Sequence, residues 1–260
     1  MEQHNKIYQQ AFYYDIALSR DVGPEVDFFL EAYRYYTGLE LKSALEIACG
    51  PGYHSRTLAQ RGIQTVGVDL RPEMITFAQQ QPGGKADNLS WVVGDMRQFQ
   101  LEQPVDMAVC MFDGFDPLLT NDDVIRHFHA VADNLNPQGL YLVQYTHPRY
   151  CSLQDYGSFH YEGERDNIKV IIHWAINNPV FDCITATAEV ETKMYVCNKG
   201  QEFTTVYKAT ERLFSPQEFP LLAQLSNRLR VIGWHGDFDL RQPFDNSAAS
   251  QYMLCLLQKI

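Results

Sequence analysis

The chain has 260 residues, with 21 Lys and Arg against 32 Asp and Glu, and a formal net charge of −11. So acidic a surface is repelled by a phosphate backbone, which argues against DNA or RNA as a partner. No apolar run approaches the roughly 18 residues of a membrane span, and the first ten residues show no basic stretch leading into an apolar one, so neither a membrane anchor nor a secretory leader is expected.

The N-terminal stretch from about Gln3 to Ala17 is rich in aromatics and reads as a lid segment. Pro24 opens a helix that Gly38 ends. Strands and helices then alternate: a strand over Ser43–Ala48, a helix over Tyr53–Arg61, a strand over Thr65–Asp69 and a helix over Pro72–Gln80. Further strands follow over Leu89–Val93, Met107–Met111 and Leu140–Tyr145. A helix capped by Asn or Asp precedes the last of these, from about Asn121 to Leu135. From there the pattern changes. Ile168–Ile176, Thr185–Val196 and Gln201–Leu213 are long, alternating and rich in Thr, Val and Tyr, and Asn198-Lys199-Gly200 is a hairpin turn between two of them. Ser215-Pro216-Gln217-Glu218 reads as a capping box opening a helix, with Ser at the cap and Pro in the first turn. Strands over Leu229–Trp234 and Gln251–Leu257 close the chain.

The most informative segment is A-L-E-I-A-C-G-P-G, Ala44 to Gly52, with V-G-V-D ending at Asp69 behind it. It is a strand–turn–helix–strand unit for a nucleotide. A dinucleotide site uses G-x-G-x-x-G to bring backbone against a pyrophosphate. Here the pattern is E-x-A-x-G-x-G, and Ser55 stands where the third glycine would be. The acid Glu46 would repel a pyrophosphate, yet it suits the cationic amino group and sulfonium of S-adenosylmethionine (SAM). Asp69 lies 19 residues past Gly50, where an acid at a strand end accepts ribose hydroxyls. Asp95 and Met96, after the third strand, are placed to hold an adenine. Phe112, Asp113 and Phe115 follow the fourth.

E-I-A-C-G-P-G, G-V-D-L, G-D-M-R and C-M-F-D resemble the successive motifs of the class I, Rossmann-like SAM-dependent methyltransferases. More narrowly, A-C-G-P-G-Y-H, V-D-L-R-P-E-M and M-F-D-G-F-D-P-L-L-T are similar to sugar-amine and glycine N-methyltransferases. The resemblance covers Tyr13–Gln144 and, loosely, Arg212–Ile260. It implies a doubly wound α/β fold with a seven-stranded, mostly parallel sheet in the order 3-2-1-4-5-7-6 and an antiparallel β insertion after the fifth strand. Residues 1–145 would form the lid and SAM-binding core, residues 146–212 a substrate lid or dimer element, and residues 213–260 the completion of the core. The cofactor site it implies comprises Tyr14, Arg20, Glu46, Ala48, Gly50, Gly52, His54, Asp69, Leu70, Met74, Asp95, Met96 and Met111. Asp113 and His147 are the nominees for orienting or deprotonating an acceptor.

The expected function is methyl transfer from SAM to a small molecule. No obvious base is present, which favours an amine nitrogen over a hydroxyl. A SAM-binding module without transferase activity is the alternative from another class. An NAD-type oxidoreductase is disfavoured by Glu46 and the missing glycine. Six cysteines without a C-x-x-C suit a cytoplasmic protein, no His or Cys group has metal spacing, His127 and His129 read as ordinary helix residues, and the free edges of the insertion are compatible with a homodimer.

Overall fold

The computed structural model describes residues 7–153 and 156–260. In chain order its elements are α1 (Ala11–Leu18), α2 (Gly23–Thr37), β1 (Ser43–Ile47), α3 (Tyr53–Gln60), β2 (Gln64–Asp69), α4 (Pro72–Gln80), β3 (Leu89–Val93), β4 (Val105–Cys110), α5 (Asn121–Asp133) and β5 (Leu135–Thr146). They continue with β6 (Phe159–Arg165), β7 (Ile168–Trp174), β8 (Thr187–Asn198), β9 (Gln201–Arg212), α6 (Glu218–Ser226), β10 (Leu229–His235) and β11 (Tyr252–Lys259).

Two units emerge: the described part of Met1–Asp21 groups with Arg149–Leu213, and Val22–Pro148 groups with Phe214–Ile260. The aromatic N-terminal segment therefore belongs with the inserted strands; its portion before Ile7 lies outside the described residues.

The larger unit is built on a seven-stranded sheet ordered β10-β11-β5-β4-β1-β2-β3. Read from β3, this is the 3-2-1-4-5-7-6 arrangement once the four inserted strands are set aside. β11 runs antiparallel to β5 and β10, while β1 to β5 pair in parallel. β4, the part of β5 from Leu140 onward and β11 are mostly apolar because both faces of the sheet are covered. On one face Phe28, Phe29 and Tyr33 of α2 join Leu58 of α3 over Met107, Val109, Leu142 and Leu256. Each such buried side chain contributes about 1.5–3 kcal/mol. On the other, Phe115 meets Phe128, Phe214 and Phe219 at ring separations of 4.9–6.0 Å.

Local signals place the helix ends. Gly38 closes α2 in the left-handed conformation, φ +74°, with its N–H on Arg34 O at 2.8 Å. The cap of α5 is Thr120, whose Oγ1 accepts from the Asp123 N–H at 3.1 Å, rather than an Asn or Asp. Asn121 and Asp122 are already helical. α6 starts at Glu218, two residues later than the Ser215 cap implies. Glu218 Oε2 does reach back to the Ser215 N–H, at 2.7 Å, so half of the capping box forms. β5 begins at Leu135 and passes through the Asn136–Gly139 turn, where Gln138 at φ +61° accommodates the irregularity in pairing with β4.

The smaller unit holds a four-stranded antiparallel sheet, β6-β7-β8-β9, one strand more than the pattern predicts. The additional strand, β6, reads F-H-Y-E-G-E-R, whose charges and glycine hide the alternation. Ile16, Ala17 and Leu18 of α1 pack with Ile168, Val170, Ile172, Met194 and Val196 on the apolar face. Gly163 is fixed by that packing, because a Cβ there would run into the Ile16 carbonyl. Gly163→Ala is accordingly expected to loosen α1 from the sheet and speed its cleavage in limited proteolysis. Asp15, buried, pairs with Arg165 at 2.8 Å. No described helix is long and apolar enough to cross a membrane.

Candidate functional site

At the C-terminal ends of β1 and β2 the chain turns sharply. Ala48 (φ +54°), Gly50 (φ +50°) and Gly52 (φ +74°) are all left-handed. The two glycines serve different ends. A Cβ on Gly52 would overlap the Trp91 ring, 2.7 Å from Cζ3 and closer to Cη2, whereas a Cβ on Gly50 would meet nothing within 4 Å. Gly52 is thus spent on packing β3 against the start of α3. Gly50 presents bare backbone to open space.

Asp69 pins this turn. Its Oδ2 accepts the Gly50 N–H and its Oδ1 the Arg71 N–H, each at 2.8 Å. A carboxylate has about four lone-pair sites, so each oxygen keeps one for a further donor. Burial raises the Asp69 pKa against these stabilising bonds. Leu70 beside it is exposed, and Met74 is buried.

Glu46 and His54, expected at the cofactor, are instead buried in a network of their own. Glu46 Oε2 accepts the Ser55 N–H at 2.7 Å and the Ser55 hydroxyl at 2.5 Å, and Oε1 faces His54 Nδ1 at 2.9 Å. Gly52, at the helix cap, has no side chain, so Glu46 caps α3 from the strand, where the positive helix end favours an anion. His54 Nε2 meets Glu25 Oε2 at 2.5 Å. With both ring nitrogens engaged, His54 has no donor left for a ligand; its place is behind the turn, and direct contact with a cofactor carboxylate is corrected on that ground. Burial pulls the His54 pKa down, but the hydrogen bonds and charges of Glu25 and Glu46 outweigh it and hold the imidazole at about 9.

Beyond β3, Asp95 is gripped by Arg97, whose Nη2 lies 2.6 Å and Nε 3.0 Å from its oxygens. The ion pair holds the Asp95 carboxyl below its ordinary value. Arg97 also reaches Asp123 on α5, at 3.2 Å. The Met96 carbonyl faces His127 Nδ1 at 2.9 Å, and His127 Nε2 faces the Tyr141 hydroxyl at 2.6 Å. Sequence reasoning passed over His127; the signal was its place on the buried stripe of α5 with Val124, Phe128 and Val131.

Beyond β4, Met111 is buried, and Phe112 and Asp113 both sit at φ +54°. Asp113 accepts from the Thr146 N–H at 2.6 Å and its hydroxyl at 2.7 Å. Burial raises its pKa against those bonds. Gln144 Oε1 accepts the Phe112 N–H at 2.9 Å, completing a loop tied to β5. His147, the other nominee, is buried against Phe244 with Nε2 on the Asp245 carbonyl at 3.0 Å, which ties it to the loop before β11. Tyr14 belongs to the smaller unit, where it packs 5.5 Å from Tyr8; Arg20, just after α1, is in that unit too. Among the described residues no group of three or more His, Cys, Asp or Glu is arranged around a metal.

A left-handed glycine turn, an acid ending β2 and polar loops after β3 and β4, on a sheet with one reversed strand, define a Rossmann-like α/β domain. Residues 44–139 match the methyltransferase domain family. It is 36% identical over 99 residues to YqeM of Bacillus subtilis (strain 168), a protein provisionally named a methyltransferase, across 38% of this chain and 40% of that one. It is 29% identical over 105 residues to dTDP-3-amino-3,4,6-trideoxy-alpha-D-glucopyranose N,N-dimethyltransferase of Streptomyces venezuelae, across 40% of this chain and 43% of that one. The chain thus spans about two fifths of the length of these curated relatives. Solved structures share the fold over nearly the whole chain. A SAM-dependent methyltransferase from Clostridium acetobutylicum ATCC 824 superposes with a TM-score of 0.76 at 17% identity, covering 98% of this chain and 99% of that one. SAM-bound CalS10, an amino pentose methyltransferase from Micromonospora echinaspora, does so with a TM-score of 0.70 at 16% identity, covering 98% and 97%.

Proposed function

We propose that the protein is a SAM-dependent methyltransferase acting on an amine nitrogen of a small molecule, with amino sugars as the first acceptors to test. The observation that carries the reading is the Gly50–Asp69 pair, an open-sided left-handed glycine whose N–H is held by a carboxylate with acceptor capacity to spare. Such a pair fits a nucleoside bearing two ribose hydroxyls, with Asp69 as their acceptor and Gly50 allowing close backbone approach. Ala48, Gly50, Leu70, Asp95, Met96 and Met111 would line the rest, and Glu46, Gly52, His54 and Met74 would hold the lining in shape. SAM, when bound, supplies a methyl group on a cationic sulfur that a lone pair can displace.

The chain's own part is to position the acceptor. Asp113, tied to Thr146, would accept an N–H of that acceptor and so aim its lone pair. A neutral amine attacks the methyl carbon with its lone pair as the C–S bond breaks and the thioether leaves, and the methylated ammonium sheds its proton to water afterwards, so the step does not depend on the nominated bases, which are already engaged, Asp113 by Thr146 and His147 by Asp245. That favours nitrogen over a hydroxyl. Free cysteines suit the cytoplasm, and the outer strands β6 and β9 suit pairing into a homodimer, which sedimentation would reveal.

Calorimetry with S-adenosylhomocysteine is the direct test. The chain is expected to bind it, and Asp69→Ala to weaken binding at least tenfold, about 1.4 kcal/mol. Mass spectrometry of amino sugars incubated with SAM should show a gain of one or two methyl groups. Tight uptake of NADH with none of S-adenosylhomocysteine would refute the reading.

A further inference from the structure

The segment after β3 is sewn along α5. Arg97 bonds Asp123, the Met96 carbonyl bonds His127, and Asn134 accepts from the Leu101 N–H at 2.7 Å while donating to the Phe99 carbonyl at 3.0 Å. One peptide in it is pinned at both ends. The carbonyl of Met96 is held by His127, and the N–H of the same peptide, belonging to Arg97, donates to Asp95 Oδ1 at 2.9 Å. Rotating that plane would break both bonds, so the His127 ring and the Asp95 carboxylate are mechanically linked through a rigid unit.

The partners dictate the proton positions. A carbonyl only accepts, so Nδ1 of His127 carries the hydrogen. Nε2 of the neutral ring then accepts from the Tyr141 hydroxyl. Burial pulls the His127 pKa down to about 4, so the ring stays neutral under ordinary conditions. The ring also meets the edge of Phe115, from the loop after β4, at 5.4 Å.

We infer that His127 is a positioning residue for the nucleoside: through the Met96–Arg97 peptide it fixes the direction of Asp95 and the Met96 side chain against the adenine, with Tyr141 holding the tautomer. This rests on the proposed SAM site and names a residue that acts on it without touching the ligand. The two nitrogens of His127 can be separated by substitution. His127→Asn retains a donor near Nδ1, so the Met96 bond survives, whereas His127→Gln places its amide near Nε2 and forfeits it. Tyr141→Phe removes the tautomer partner while leaving the Met96 bond in place.

S-adenosylhomocysteine and 5′-methylthioadenosine would be titrated into each variant by calorimetry, with urea midpoints as a stability control and KM for SAM against kcat as a second readout. The expected order is near-unchanged affinity for His127→Asn and at least tenfold weaker binding of both ligands for His127→Gln. Tyr141→Phe should lose stability while binding within threefold of the unaltered chain, and KM should rise without kcat in His127→Gln. Equal affinity in His127→Asn and His127→Gln, or a loss in Tyr141→Phe as large as in His127→Gln, overturns the inference alone. If the unaltered chain binds neither ligand, the proposed function falls and takes this inference with it.

Discussion

Gly52→Ala is expected to unfold the glycine turn, while Gly50→Ala is expected to leave the fold standing and remove ligand binding. Both positions are left-handed, so each variant incurs roughly 1–2 kcal/mol for an L side chain there. Only Gly52 adds an overlap: its Cβ would enter the Trp91 ring and lie 3.3 Å from Ala78 Cβ. Trp91 cannot easily swing away, since its Nε1 donates to the Gly84 carbonyl at 2.8 Å and its ring also covers Gly67. Overpacking of this kind costs about 1–3 kcal/mol, for a combined loss of about 2–5 kcal/mol at Gly52. Urea denaturation would show it as a lowered midpoint. Trp91→Leu in the Gly52→Ala background should recover the overlap share, giving a favourable coupling in a double-mutant cycle. For Gly50→Ala the midpoint should drop by the conformational share alone, and S-adenosylhomocysteine should bind at least tenfold more weakly because the methyl group fills the open flank. Equal stability losses at the two glycines would contradict the division of labour.

That division marks what the sequence could convey. The pattern E-x-A-x-G-x-G places a turn, and Asp69 declares itself by being an acid at a strand end. What distinguishes Gly52 from Gly50 is a tryptophan nearly forty residues away on β3, and no local pattern encodes a distant ring. The core strands were legible because apolar strand periods and turn residues are local, and their order in the sheet came from the resemblance; β6 was not legible, since its glycine answers to the Ile16 carbonyl of α1 and its charges interrupt the alternation. The surroundings of Glu46 and His54 were illegible for the same reason. Their partners, Ser55 and above all Glu25, turn a ligand-facing acid and imidazole into a closed buried network, and Glu25 comes from a helix whose approach the motif does not announce. His127 shows the converse: a histidine on an apolar helix stripe reads as filler until the carbonyl opposite its Nδ1 is known.

The stability of the protein should fall between pH 6.5 and 9, and the Glu25–His54–Glu46 network should be the reason. In the folded chain the imidazole, charged between two carboxylates, titrates at about 9 against 6.5 when free. A raised value means the folded state binds the proton more tightly. The stabilisation is therefore complete below pH 6.5 and is lost as the pH climbs through 9, by about 3 kcal/mol. Two sets of buried groups act outside that window. His127, depressed to about 4, stabilises above pH 6.5 and gives way only as the pH falls below it. The buried thiols of Cys49, Cys110 and Cys255 are pushed above their ordinary 9, so their loss begins on the alkaline side. Urea midpoints measured from pH 6 to 9 should slope downward in the unaltered chain. Glu25→Gln, which removes one of the two carboxylates facing the ring, should flatten the slope by bringing the imidazole back toward 6.5. His54→Leu should abolish the slope and lower stability at every pH, because removing one member of a buried charged set leaves the others without a counter-charge at a cost of about 3–5 kcal/mol. A level profile in the unaltered chain, or an undiminished slope in His54→Leu, would show that the imidazole between Glu25 and Glu46 is neutral and that the anchoring of α2 to the glycine turn is not a matter of charge.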